Sequence, residues 1–457
     1  MPTLKTPTRQ TLPTPSSQRI NPRTLYHGLL QSPSEHLGAA RDYLQENLRR
    51  AAALPCDLPE DPSQLSQWVH DSSAKVADAY NAYLAARKQG QPRRFFTNRA
   101  HALYFLRGVA PTKLVDGAWL HGIVSQWQDW RFHGLVRTYL EELGDGEPTQ
   151  NHVALYKQLL YTYDLNDTDN LSPDHYIQGA LQLALAHQAR DFLPELIGYN
   201  LGYEQLPLHL LISIRELSEL GIDPYYFQLH VTIDNADTGH AQKAVDAVLN
   251  NLPTNGDTDA FLQRVRAGYL LNELGTSSMD VIEGFRLEHE VQSMLEHKAV
   301  VARNIHSDRC RIEGRTVNEW LATPGQMGAM LAALEKRGWI RRHTDPEESR
   351  FWQLVHGNRA PMFGVFSGYE LQLLHDWIAG EWAAPTSPRR PQPAPPMATT
   401  DDFAEEQSLL RQQLNALPAE EQMAALIELM GPATHYTPAG LLATRLFTRG
   451  MGHPSGF

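Results

Sequence analysis

The stretch His230-Val231-Thr232-Ile233-Asp234-Asn235-Ala236-Asp237-Thr238-Gly239-His240 sets two imidazoles and two carboxylates within eleven residues. Its surroundings, roughly 224 to 250, carry the spacing of a helix. At about 3.6 residues per turn, Asp234, Asp237 and His240 fall about 40°, −20° and −80° from His230, all on one side. Such a face is costly to bury alone, but with a cation it is a coordination shell. The competing reading is a solvated polar face.

Outward from this stretch, helical periodicity dominates and strand-like alternation is scarce, so the fold class is all-α. Ser32-Pro33-Ser34-Glu35 has capping-box spacing with proline at the first helical position, predicting a helix to about Ala53. Further helices are predicted over about 63–87, around Phe95–Leu106, over 114–130 and over 135–143. Gly144-Asp145-Gly146-Glu147-Pro148 stops the last of these, and His152 opens the next, to about Tyr163. Three more are predicted over 173–189, 193–220 and 224–250, and 257–296 is again helical. Residues 315–342 read as two short helices followed by Gly338-Trp339-Ile340, a winged-helix-like pattern. The expected organisation is a tail over 1–24, a helical domain over 25–300, an accessory and mostly helical region over 301–382, a Pro-rich linker over 383–400 and a C-terminal helical segment over 401–457.

The net charge of −12 argues against nucleic acid or an anionic membrane as the main partner. No run of about 18 apolar residues occurs, so no membrane span is expected. Two cysteines, Cys56 and Cys310, far apart in sequence, argue against a disulfide framework and against a thiolate metal or iron–sulfur site, and suit a reducing cytoplasm.

Metal sites in helical bundles draw ligands from facing helices. Glu142 and His152 flank the Gly-Asp-Gly-Glu-Pro turn, which could fold the imidazole back beside the carboxylate. Glu204 follows Gly198 and Gly202, two glycines that let another helix approach, and a carboxylate among Leu196, Ile197, Leu201 and Leu206 is a poor structural choice. With the opening stretch, these donors suit two ferrous ions that keep positions open for dioxygen. None of the 20 histidines has a glutamate three positions before it, so the usual Glu-x-x-His bundle signature is absent.

Glu-Leu-Gly-Asp-Gly-Glu-Pro-x-x-Asn-His (142–152), Gly-Tyr-Glu (202–204) and Tyr226-Phe227-x-x-His230-x-x-x-Asp234 followed by His240 resemble, in order, the three signatures of the heme-oxygenase-like di-iron oxidases and oxygenases. Val109-Ala110-Pro111-x-x-Leu-Val-Asp-Gly-Ala-Trp119-Leu120 resembles the helix that precedes the site in that family. The resemblance implies a heme-oxygenase-like helical bundle with additional helical N- and C-terminal segments. By position it makes Glu142, His152, Glu204, His230, Asp234 and His240 the ligands of two Fe(II) ions, with Glu142 preferred over Glu141 by motif register. Asp237 stands where some members place the last histidine, and is the alternative ligand. Dioxygen would be the co-substrate. The implied reactions are carbon–carbon cleavage, desaturation or N-oxygenation of an amino-acid-, amine- or fatty-acid-like molecule. A small-molecule substrate is therefore expected, with an electron donor and a homodimer both compatible.

Tyr203, Tyr225, Tyr226, Trp127 and Trp130 read as core aromatics. The reading from another class is a helical regulatory or scaffold protein whose region 315–380 binds DNA or a protein partner. True heme oxygenase is weaker, since one axial ligand does not call for so many carboxylates.

Overall fold

The computed structural model describes residues 20–168, 170–233, 239–357, 359–383 and 403–452. Among them the regular structure is helical apart from one hairpin of two-residue strands, Arg311–Ile312 against Arg315–Thr316. No described helix is long and apolar enough to cross a membrane.

Several expected helices stand close to their sequence bounds: Pro33–Ala51, Leu65–Lys88, His133–Glu142, His152–Thr162 and Ile177–Gln188. Ser32 does precede a proline-led helix, but its side chain makes no capping bond, so no capping box forms there. Phe95 lies outside the helix Arg99–Gly108. It belongs to a bend before that helix whose amides at Arg94, Phe95 and Phe96 all donate to the buried Glu216 carboxylate. The expected helix over 114–130 is a 3-10 stretch, Ala118–Gln126, because Gly117 adopts φ 78° and breaks the α register.

Two long expectations divide. Residues 193–220 form Leu193–Tyr203 and Leu208–Glu219, parted before Pro207, whose missing N–H ends helical bonding. Residues 224–250 form Tyr225–Ile233 and His240–Asn250, the second entered through an extended Gly239. His230 and His240 thus belong to two helices and not to one continuous face. Asp234 and Asp237 lie outside the described residues.

One apolar core joins Trp119, Val136, Tyr139, Tyr199 and Val245 with Leu426, Met430, Leu442 and Phe447, so the C-terminal helices Ala419–Leu429 and Pro438–Gly452 pack into the same core as the central helices. A second core joins Phe105, Tyr156, Tyr226 and Phe227 with Trp320, Leu331, Trp352 and Trp377. Helices Leu193–Tyr203 and Thr258–Leu270 cross in close contact. A Cβ on Gly198 would lie 1.8 Å from the Val265 carbonyl oxygen, and one on Gly268 would lie 1.9 Å from that of Glu195.

In the accessory region, helices Val317–Leu321 and Met327–Lys336 are present, but Gly338-Trp339-Ile340 forms no strand and hence no wing. Its basic residues face acids or rings: Lys336 meets Glu313, Arg341 meets Glu348, and Arg342 stacks on Trp377. Trp130 and Tyr225, expected in the core, are exposed. Tyr226 is buried, and Tyr203 and Trp127 pack against the core.

Candidate metal centre

Helix His133–Glu142 turns Leu135, Thr138 and Glu142 onto one buried face, spaced three and four residues apart. Glu141, about 100° around the helix, is half-buried and points elsewhere. Beyond the helix, Gly144, Asp145 and Gly146 take φ 62°, 51° and 83° in succession. This left-handed run reverses the chain tightly enough that a Cβ on Gly144 would lie 2.4 Å from the Gln150 carbonyl carbon. Asn151 caps the next helix by accepting from the Ala154 amide, while its own amide group donates to the Leu143 carbonyl. The turn brings His152 Nδ1 to 2.5 Å from Glu142 Oε2.

Glu204 ends the helix Leu193–Tyr203, and His240 opens the helix His240–Asn250. His240 Nδ1 lies 3.0 Å from Glu204 Oε2 and 3.5 Å from Glu142 Oε1. Its Nε2 faces Glu141 Oε2 at 2.8 Å, and Lys243 also reaches that oxygen, at 2.5 Å. Lys243 and His240 outweigh burial and hold the Glu141 carboxyl down at about 2. His230 sits 4.5 Å from His152, ring centre to ring centre. A sixth residue completes the picture. Asp116 Oδ2 lies 3.1 Å from His230 Nε2 and 3.9 Å from His152 Nδ1.

Asp116 is positioned by Gly117. The positive φ turns the chain, and a Cβ at Gly117 would stand 2.8 Å from Glu142 Cβ, so only glycine admits this approach. Tyr203 donates to Asp116 Oδ1 at 2.7 Å and Tyr226 to Oδ2 at 2.5 Å, with Lys113 Nζ 3.7 Å from Oδ1. Burial alone would raise the Asp116 carboxyl. The Lys113 ammonium and the His230 ring outweigh it and hold the group well below the usual carboxylate range. Burial likewise opposes charge on Glu142 and His230, yet His152 holds Glu142 low and Asp116 raises His230. Both phenols are pushed far up by burial and by the Asp116 charge, so they stay protonated donors.

Two groups of buried donors result: Asp116, Glu142, His152 and His230, and Glu142, Glu204 and His240. Within each, the donor atoms lie within 4.8 Å of one another, and Glu142 belongs to both. The arrangement fits metal ions on three grounds. Three carboxylates are buried together, which is costly without compensating positive charge. The Tyr226 carbonyl can only accept, so His230 Nδ1 is its donor, and a neutral ring then aims the Nε2 lone pair at Asp116. Glu142 Oε2 and His152 Nδ1 are buried and face each other at 2.5 Å, yet neither makes a hydrogen bond of good geometry with the other or with any other described residue. A cation between such atoms removes each conflict. Oxygen and imidazole donors without thiolate suit iron, manganese or zinc in place of a soft metal.

Of the residues expected from sequence, Glu142, His152, Glu204, His230 and His240 are brought together here, with Glu141 outside the groups as the motif register implies. Asp234 and Asp237 cannot be placed, lying outside the described residues. Asp116 was missed. It occupies the Leu114-Val115-Asp116-Gly117-Ala118-Trp119 phrase as a lone acid in an apolar run followed by glycine, and that was the signal available. No curated protein and no solved structure matches the chain. Over residues 103–273, the span that supplies every donor in both groups, the chain matches the family model described as iron-containing redox enzyme, the helical family that its motifs resemble.

Proposed function

We propose that this chain is a non-heme di-iron enzyme that uses dioxygen to oxidise a small organic substrate. The observation that carries the reading is Glu142, a buried carboxylate common to two His/carboxylate groups and so suited to bridge two ions. Asp116, His152 and His230 would hold one ion beside it, and Glu204 and His240 the other; Asp234 or Asp237 would add a further carboxylate. Bound iron would supply the electrons for reaction with dioxygen.

The chain's own residues prepare the site. Hydrogen bonds fix two of the rings: His230 Nδ1 on the Tyr226 carbonyl leaves Nε2 for metal, and His240 Nε2 on Glu141 leaves Nδ1. Tyr203 and Tyr226 donate to Asp116 and temper its basicity, while the surrounding Trp119, Tyr199 and Tyr156 exclude bulk water. The motifs' resemblance supports an amino-acid-, amine- or fatty-acid-like substrate, with C–H or C–C cleavage, desaturation or N-oxygenation as the reaction classes.

Anaerobic ferrous titration tests the reading. Two ions per chain are expected, with both weakened in Glu142→Gln and one weakened in His230→Ala. Absence of binding, or binding unchanged in both variants, overturns it. Oxygen uptake by the loaded protein against amino acids, amines and fatty acids then identifies the substrate class.

A further inference from the structure

We infer that the accessory region holds a second, separate binding site, for an uncharged apolar small molecule. A cavity of about 260 Å³ opens among helices Leu287–Ala302, Val317–Leu321 and Met327–Lys336 and the turns near 339 and 362. Leu295, Leu331, Leu334, Trp339, Phe351 and Phe366 are among its walls. None of the metal-centre donors lines it. An apolar cavity of roughly 150 Å³ stays dry and accepts one benzene, so this larger one has room for about ten carbon atoms.

The walls state the chemistry of the occupant. Three methionines, Met327, Met330 and Met362, give it adaptable, polarisable surface. Its one ammonium, Lys298, is committed to Glu370 at 2.8 Å, and Glu370 in turn accepts the Ser367 amide at 2.7 Å. An anionic ligand would have to break that pair, whereas a neutral one leaves it whole.

A second observation points the same way. Val300, Val301, Ile305 and Phe363 are 63 to 76% exposed, and each adjoins a lining residue in sequence or lies within three of one. Val365, 41% exposed, is itself part of the wall. An exposed apolar residue in the wall, flanked in sequence by further exposed apolar residues, leaves the cavity open to apolar matter from solvent. A molecule with no charge to satisfy gains from every wall atom and disturbs no polar pair.

Naphthalene, neutral and of ten carbons, is the probe, titrated into the full chain carrying 13C-methyl methionine. Saturable shifts at Met327, Met330 and Met362, with Met423 and Met430 unmoved, are expected. Filling the cavity with Ala299→Phe should shift its half-saturation at least tenfold. Ala302→Leu, at a half-buried wall position, serves if the first variant does not fold. Shifts that do not saturate, or that persist unchanged in a folded filled variant, overturn the proposal. So does a concentration-dependent dimer that abolishes naphthalene binding to the wild type, which would make the patch a self-association surface.

Discussion

Glu141 and His240 face each other at 2.8 Å on the side of the ring away from Glu204, so a half-buried carboxylate outside the donor groups fixes a fully buried imidazole inside one. Such outer partners are worth about 10–100-fold in metal affinity. If the chain binds two ferrous ions as proposed, Glu141→Gln should therefore weaken one of the two sites by that factor without changing the number of ions bound. Glu141→Asp should restore part of the loss. Equal weakening of both sites in an anaerobic calorimetric titration would contradict the assignment.

Asp116→Asn removes a charge that His230 and Lys113 both face. Affinity at the His152/His230 group should fall at least ~10-fold. Binding at the Glu204/His240 group should change little. Tyr226→Phe removes only one donor to the same carboxylate and should have the smaller effect on the same site. Manganese(II) titrated into both variants and followed by electron paramagnetic resonance would order the two effects.

Acid should unfold the protein partly through His435. Burial pushes this ring from 6.5 to about 3, and its Nδ1 accepts from Asn151, the residue that caps the His152 helix. The unfolded chain takes up a proton below pH 6.5 while the folded chain does not until about pH 3. Stability is therefore whole above 6.5 and falls as pH drops through that window, by about 1.4 kcal/mol per unit for this group. Urea melts at pH 7, 6 and 5 should show the slope, and His435→Phe should flatten it.

Gly268→Ala sets two effects against each other. Helix propensity favours alanine by up to about 1 kcal/mol. Packing opposes it, because the new methyl would sit 1.9 Å from the Glu195 carbonyl oxygen, backbone that cannot step aside. Overpacking of this kind costs about 1–3 kcal/mol, so the net change should be destabilising. Gly134→Ala, with its nearest neighbour 3.5 Å away, is the control and should be neutral or stabilising.

Helical class and the Gly144–Gly146 reversal could be read from residue types and spacing, and five of the six grouped donors from these together with the motifs' resemblance, whose register chose Glu142 over Glu141. The features that escaped share a physical cause: they depend on single backbone angles that periodicity does not encode. Gly117 at φ 78° converts an expected helix into 3-10 turns and delivers Asp116. Gly239, extended, starts a new helix at His240 where the spacing alone suggested continuity. Trp130 and Tyr225 show the converse, since large aromatic side chains promise burial but each opens a helical segment with its side chain exposed. The Leu193–Leu220 prediction overlooked Pro207, whose effect on a helix was legible.

Arg445 donates to the Gly146 carbonyl, and His435 meets Asn151 across 284 residues of sequence. The reversal that aligns Glu142 with His152 is thus clamped by chain made much later. During synthesis, the central helices emerge with this hinge held only by its own bonds, such as that from Asn151 to the Leu143 carbonyl, and without the clamp from Arg445 and His435. Iron loading in the cell should accordingly follow, and not precede, release of residues 435–445 from the ribosome.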